Sequence, residues 1–143
     1  MEYFKEDYLT LSYNESLNLV TAVWDMKFVK ADLFKKGALA GLELLAQKQA
    51  TAYLIDTSQM GVLSLELQRW IQSQIEIYTT KMNLRYVATV VGKDVFNKVA
   101  AKNIQNHAEK KQEEAGKTVI TEFFQNRIDA IHWISGLNIH KAA

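Results

Sequence analysis

The sequence predicts an α/β domain: a mostly parallel sheet, an N-terminal antiparallel β-hairpin and about four helices. Three observations predict it. The hydrophobic period switches repeatedly between two and about 3.6 residues. Short, continuously apolar runs alternate with helical segments, and the connections between them are brief. Strands that alternate with helices through short links imply right-handed crossovers and parallel pairing. At 143 residues the chain has the size of one domain. No linker, internal repeat or low-complexity stretch divides it, so residues 1–143 are expected to form a single unit.

Each element has a local signal. Residues 8–13 alternate Tyr, Leu, Thr, Leu, Ser, Tyr, and residues 17–24 are rich in Leu, Val, Thr and Trp, with Asn14-Glu15-Ser16 as the turn of a hairpin. From 31 to 49 the period becomes helical, with Leu33, Phe34, Gly37, Ala38, Gly41, Leu42 and Leu45 on one face. Glycine in a helix costs about 1 kcal/mol, so Gly37 and Gly41 imply a smooth strip that lets the helix lie close to a sheet. Residues 52–55 read as a parallel strand covered on both faces, closed by Asp56-Thr57-Ser58 and then Gly61.

Ser64 is placed as an N-cap with Glu66 near the positive helix end. Leu67, Trp70, Ile71, Ile75 and Tyr78 follow at helical spacing to about Met82. Residues 86–91 form the next buried strand, turned by Gly92-Lys93-Asp94 into a third helix. Its expected apolar face is Val95, Phe96, Val99, Ala100, Ile104 and Ala108, and Gly116 ends it. Residues 118–124 make another strand. Asn126 caps a last helix carrying Ile128, Ile131 and Ile134, which Gly136 is expected to stop.

Composition narrows the chemistry. The chain has no cysteine, which removes disulfides, thiolate metal sites and thiol nucleophiles. It also has no proline, hence no X-Pro isomerisation and no Pro-rich recognition segment. Seventeen Lys and Arg against sixteen Asp and Glu give no reason to propose nucleic acid or an anionic membrane as partner. Arg69, Arg85 and Arg127 are the only candidates for bidentate phosphate recognition. Residues 1–13 lack an apolar signal core and no apolar run is long enough to span a bilayer, so a cytoplasmic protein is expected.

The element order resembles that of the SpoIIAA-like group, small proteins related to STAS domains. The resemblance rests on the hairpin and first helix, on Tyr53-Leu54-Ile55-Asp56-Thr57-Ser58-Gln59-Met60-Gly61-Val62, on the Trp70-bearing helix, and on residues 87–91 followed by Lys93-Asp94-Val95-Phe96. It implies a βα superhelix used as a protein-interaction module. In the anti-sigma-factor antagonists of that family, a serine at the start of the helix after the Asp-containing strand is phosphorylated to switch partner binding. The matching position here is Ser64. The surrounding Leu63-Ser64-Leu65-Glu66 departs from the family's Asp-Ser followed shortly by Gly.

The residues themselves offer few catalytic constellations. Asp56, Thr57, Ser58, Lys93 and Asp94 would ring the carboxyl ends of the parallel strands, where open sheets bind ligands. Turn formation through side-chain to backbone bonds is the competing role for Asp56 and Ser58. His107, His132 and His140 stand at no metal-binding spacing, and Gly116-Lys117-Thr118 lacks the earlier glycine and the strand-to-helix order of a P-loop. The run from Glu109 to Glu114 reads as solvated helix surface. Trp70 and Tyr78, two turns apart, would form an interaction surface if left uncovered.

The expectation is therefore a non-catalytic regulatory domain that binds another protein or a second copy of itself, without cofactor or metal. Two alternatives stand beside it. One is a small-ligand or lipid carrier of the SEC14-like kind that the same resemblance suggests, and the other is a phospho-switch with Ser64 as acceptor.

Overall fold

The chain runs β1 (Glu2–Glu6), β2 (Leu9–Asn14), β3 (Leu19–Met26), α1 (Ala31–Lys48), β4 (Ala52–Met60), α2 (Leu65–Tyr78), β5 (Tyr86–Val90), α3 (Val95–Glu114), β6 (Ile120–Phe124) and α4 (Arg127–Ala142). This computed structural model describes the backbone of residues 1–92 and 95–142 and the side chains of residues 1–92 and 98–137. The six strands lie in sequence order across one sheet. β1, β2 and β3 form an antiparallel meander, and β3 to β6 pair in parallel. The α/β class, the antiparallel start and the four helices are those read from the sequence.

The two faces of the sheet are covered unequally. Leu9, Leu11, Val20, Ala22 and Trp24 point to the face packed by α1 and α2, joined by Ile104 of α3. On the opposite face Leu19, Ala52, Leu54, Ala88 and Val90 meet Ala130 and Ile134 of α4. β4 is thus buried on both sides, which is why it reads as continuously apolar. Gly37 and Gly41 provide the predicted smooth strip of α1. A Cβ on Gly37 would stand 2.7 Å from Leu9 Cδ2 and 2.8 Å from Trp24 Cη2, and one on Gly41 would stand 2.7 Å from Tyr53 Oη.

Several boundaries differ from expectation, each for a local reason. β1 has no apolar alternation, because it is an exposed edge guarded by Glu2, Lys5 and Glu6. Lys48 holds it from α1, with its ammonium over the rings of Tyr3 and Tyr13. β4 does not end at Ile55 but continues to Met60, so Asp56, Thr57 and Ser58 lie within a strand rather than in a closing turn. The register against β3 shifts between Val23 and Asp25, marking an irregularity beside these residues.

α2 stops at Tyr78, not near Met82, and β6 begins at Ile120. Gly116, at φ 78°, follows the end of α3 as predicted. Gly136 does not end α4, which runs through it to Ala142, and a Cβ there would meet nothing within 4 Å. The exposed side chains of Val99, Ile128 and Ile131 also depart from the apolar faces assigned to them.

Candidate functional site

The best-placed acid, Asp56, is buried and fully engaged. Its Oδ1 accepts hydrogen bonds from the Ser58 amide at 2.9 Å and the Ser58 hydroxyl at 2.6 Å. Its Oδ2 lies 3.0 Å from Arg127 Nε, in the first turn of α4. The side-chain to backbone bonding expected of Asp56 and Ser58 is present, inside an irregular strand instead of a turn. An arginine at the positive end of a helix is disfavoured by the dipole, so Arg127 is held there by the carboxylate it meets. Thr57 bridges to the next strand by donating to the Val90 carbonyl at 3.0 Å.

Asp56, Thr57 and Ser58 lie in β4 where β5 ends, Asp56 being paired with Val90. Lys93 and Asp94, assigned to the same rim, lie outside the described residues. Phe28, Val62 and Gly92 lie along a groove at this end, together with Asp25, Lys27 and Ser58. Gly61 makes the close approach that shapes it. Its amide donates to the Met26 carbonyl at 2.7 Å, and a Cβ would fall 2.0 Å from the Lys27 oxygen.

Beyond the groove Ser64 opens α2 as an exposed N-cap, its hydroxyl accepting the Leu67 amide at 3.2 Å. Three apolar side chains flank this corner in solvent: Phe28 is 80%, Val62 58% and Leu65 59% exposed. Sequence periodicity had no means of finding them. Val62 and Leu65 sit in a connection and a first helical turn, and Phe28 lies beyond the end of β3, outside any periodic segment.

Trp70 and Tyr78 do not form an uncovered stripe. Trp70 meets Phe34 edge-on at a centroid distance of 6.2 Å and lies beneath the Lys35 ammonium, while Tyr78 donates to Glu43. Both belong to the contact between α1 and α2. Burial, then the charge of Glu43, raises the Tyr78 phenol above its ordinary value.

The remaining candidates resolve into structural contacts. His107 Nε2 lies 2.9 Å from Glu76 Oε1, joining α3 to α2, and Lys111 approaches the same oxygen at 3.4 Å. The His107 hydrogen bond is the main reason that Glu76 is held below the ordinary carboxylate range. Lys111, within the mixed charge run, is raised first by Glu114 and then by Glu76. Lys117 donates to the carbonyls of Thr79 and Met82 at the end of α2, so it closes a helix. His132 is exposed, and the side chain of His140 is outside those described.

Among the described residues no cluster of three His, Cys, Asp or Glu side chains is disposed to hold a metal ion. None of the described helices is long and apolar enough to cross a membrane. No family model, curated protein or solved structure matches the chain.

Proposed function

We propose that the chain is a non-catalytic interaction module of the SpoIIAA-like, STAS-related kind, docking through the corner where the carboxyl end of the sheet meets α2. The observation that carries this reading is the exposure of Phe28, Val62 and Leu65 around one helix start. Apolar anchors exposed together are the usual core of an interface. The engagement of Asp56 by Ser58 and Arg127 supports a binding role, since the acid that the sequence nominates for chemistry is already bonded.

The partner we assign to this surface is a second copy of the chain. The groove beside the anchors carries both Asp25 and Lys27. A surface with both signs favours neither an acidic nor a basic partner, and it can be complemented across a two-fold axis by itself. A cytoplasmic setting accompanies this reading, because a chain without cysteine has no disulfide to gain from an oxidising compartment.

Sedimentation velocity over a range of concentrations tests the assignment. The wild-type chain is expected to dimerise, and Phe28→Ser combined with Val62→Ser to leave a monomer with unchanged circular dichroism. A wild-type monomer at every concentration, or a double variant that still dimerises, overturns it.

A second reading is favoured by the position of Ser64, exposed between Val62 and Leu65. Phosphate there would be welcomed by the helix N-terminus but would place charge inside an apolar contact. Modification of Ser64 would then release the dimer.

A further inference from the structure

Between the sheet and the layer formed by α1, α2 and α3 lies a partly open cavity of about 120 Å³. A smaller void of about 50 Å³ adjoins it, and Tyr53, Ile75 and Gln105 line both. The walls of the larger space are mostly apolar, with Trp24, Phe34 and Ile71 among them, and its described lining includes no charged side chain.

Polar atoms set this space apart from a packing defect. Thr89, only 2% exposed, lines the larger cavity, and its hydroxyl has no hydrogen-bond partner. Gln112, 3% exposed, lines the smaller void with its Oε1 likewise unpartnered. Native interiors leave few such groups, because each is costly when unsatisfied. Gln105, 8% exposed, brings an amide to both spaces. Tyr53 adds a phenol that burial raises well above its ordinary value, so it stays neutral and able to donate.

We propose that this cavity binds a small neutral molecule of single-ring size, apolar over most of its surface and bearing one hydrogen-bonding group, as phenol does. The volume sets the size. An apolar cavity of roughly 150 Å³ accepts benzene, so these two adjoining spaces suit one ring with a short substituent. Pockets for larger ligands begin near 300 Å³, which leaves a lipid chain without room. The larger space has no charged side chain in its described lining and Glu109, on the wall of the smaller one, would repel an anion, so an ionised acid would lose its hydration without gaining a counter-charge. Thr89, Tyr53 and Gln105 supply the polar contacts. Thr57 and Met60 line both this cavity and the groove at the exposed corner, but Thr89, Tyr53 and Gln105 do not line that groove, and binding does not depend on self-association.

The experiment is an NMR titration of the full-length, ¹⁵N-labelled chain with phenol, benzene and benzoate. Phenol is expected to give saturable shifts at the amides of Trp24, Tyr53, Thr89 and Gln105, benzene weaker ones at the same positions, and benzoate none. Ala101→Leu, which fills the cavity from α3, is expected to abolish the phenol response. Thr89→Val keeps the side-chain shape and is expected to remove roughly five- to tenfold of the preference for phenol over benzene. It reports on the site even if Ala101→Leu fails to fold. Absence of saturable shifts with both phenol and benzene overturns the proposal, as does an equal response to benzoate or an undiminished response in folded Ala101→Leu.

Discussion

The guanidinium of Arg127 meets the carboxylate of Asp56 at 3.0 Å, tying the first turn of α4 to β4. The pair is asymmetric: the Asp56 side chain is 7% exposed and that of Arg127 55%.

That asymmetry orders three substitutions. Asp56→Ala leaves the amide and hydroxyl of Ser58 without their acceptor and is expected to destabilise by about 1–3 kcal/mol. In Arg127→Ala, water replaces the exposed guanidinium and both Ser58 bonds survive, so the loss is expected to be about 1 kcal/mol or less. Ile134→Ala, at a side chain 1% exposed, is expected to cost roughly 2–5 kcal/mol and so to outrank both. Urea unfolding monitored by tryptophan fluorescence measures the order. A loss in Arg127→Ala equal to that in Ile134→Ala would mean that the ion pair, not apolar contact, docks α4.

The two glycines of α1 should respond differently to alanine, although each would gain about 1 kcal/mol of helix propensity. At Gly37 the new methyl meets Leu9 and Trp24 together, both packed in the core. A net loss of about 1–3 kcal/mol is expected. At Gly41 it meets the Tyr53 hydroxyl, which borders a cavity and has space to yield. Gly41→Ala is expected to stay within about 1 kcal/mol of wild type. Paired thermal melts decide whether the two sites differ.

Ser64 separates capping from switching. Ser64→Ala removes the acceptor of the Leu67 amide and is expected to cost about 1 kcal/mol. Ser64→Asp keeps a good cap but introduces charge beside Val62 and Leu65, so stability should hold while dimerisation weakens. Calorimetry and sedimentation on the same samples distinguish the effects, and unchanged association in Ser64→Asp would remove the case for a phosphate switch.

The bridge from α2 to α3 predicts losses at both ends of the pH scale. Glu76 is depressed in the folded chain, so its contribution is present above the ordinary glutamate value of about 4.3 and disappears as pH falls through the lower folded value. Lys111 is raised, so its contribution is present below its ordinary value of about 10.4 and disappears as pH rises through the higher folded value. Glu76→Gln should flatten the acid limb of a melting-temperature profile and reduce the alkaline one. An identical acid limb in that variant would mean that the contact with His107 does not stabilise the fold.

The elements that were legible in the sequence are those whose period reflects burial. Leu54 and Val90, buried within the sheet, and the face of α1 from Phe34 to Leu45 announce themselves because core contacts select their residue types. Asn126 and Ser64 were legible through capping chemistry: the Asp129 amide donates to Asn126 Oδ1 at 2.9 Å. β1 was hidden because an edge strand protects itself with charge. Asp56-Thr57-Ser58 has turn composition, yet Asp56 is paired in parallel on both sides and β3 takes up the pairing again at Gln59, so the segment stays within the strand.

The functional features were less accessible. Asp56 and Ser58 were identified together, but the approach of Arg127 joins residues 71 positions apart in the chain and leaves no periodic trace. The cavity depends on how three helices meet over β4 and β5, and Thr89 differs from a core residue only by the hydroxyl left without a partner.

The unbroken strand order has a consequence for how such a chain is made. Because each strand pairs with the one synthesised before it, the sheet can grow outward from the first meander, and no late segment has to be threaded between strands already joined. Pairing between sequence neighbours limits each closure to one hairpin or one crossover, which suits strand-by-strand assembly during translation. Only α4 must wait. It covers the face of β4 and β5 that stays open until α4 itself has been made, so the nascent domain has a complete sheet before it has a complete core.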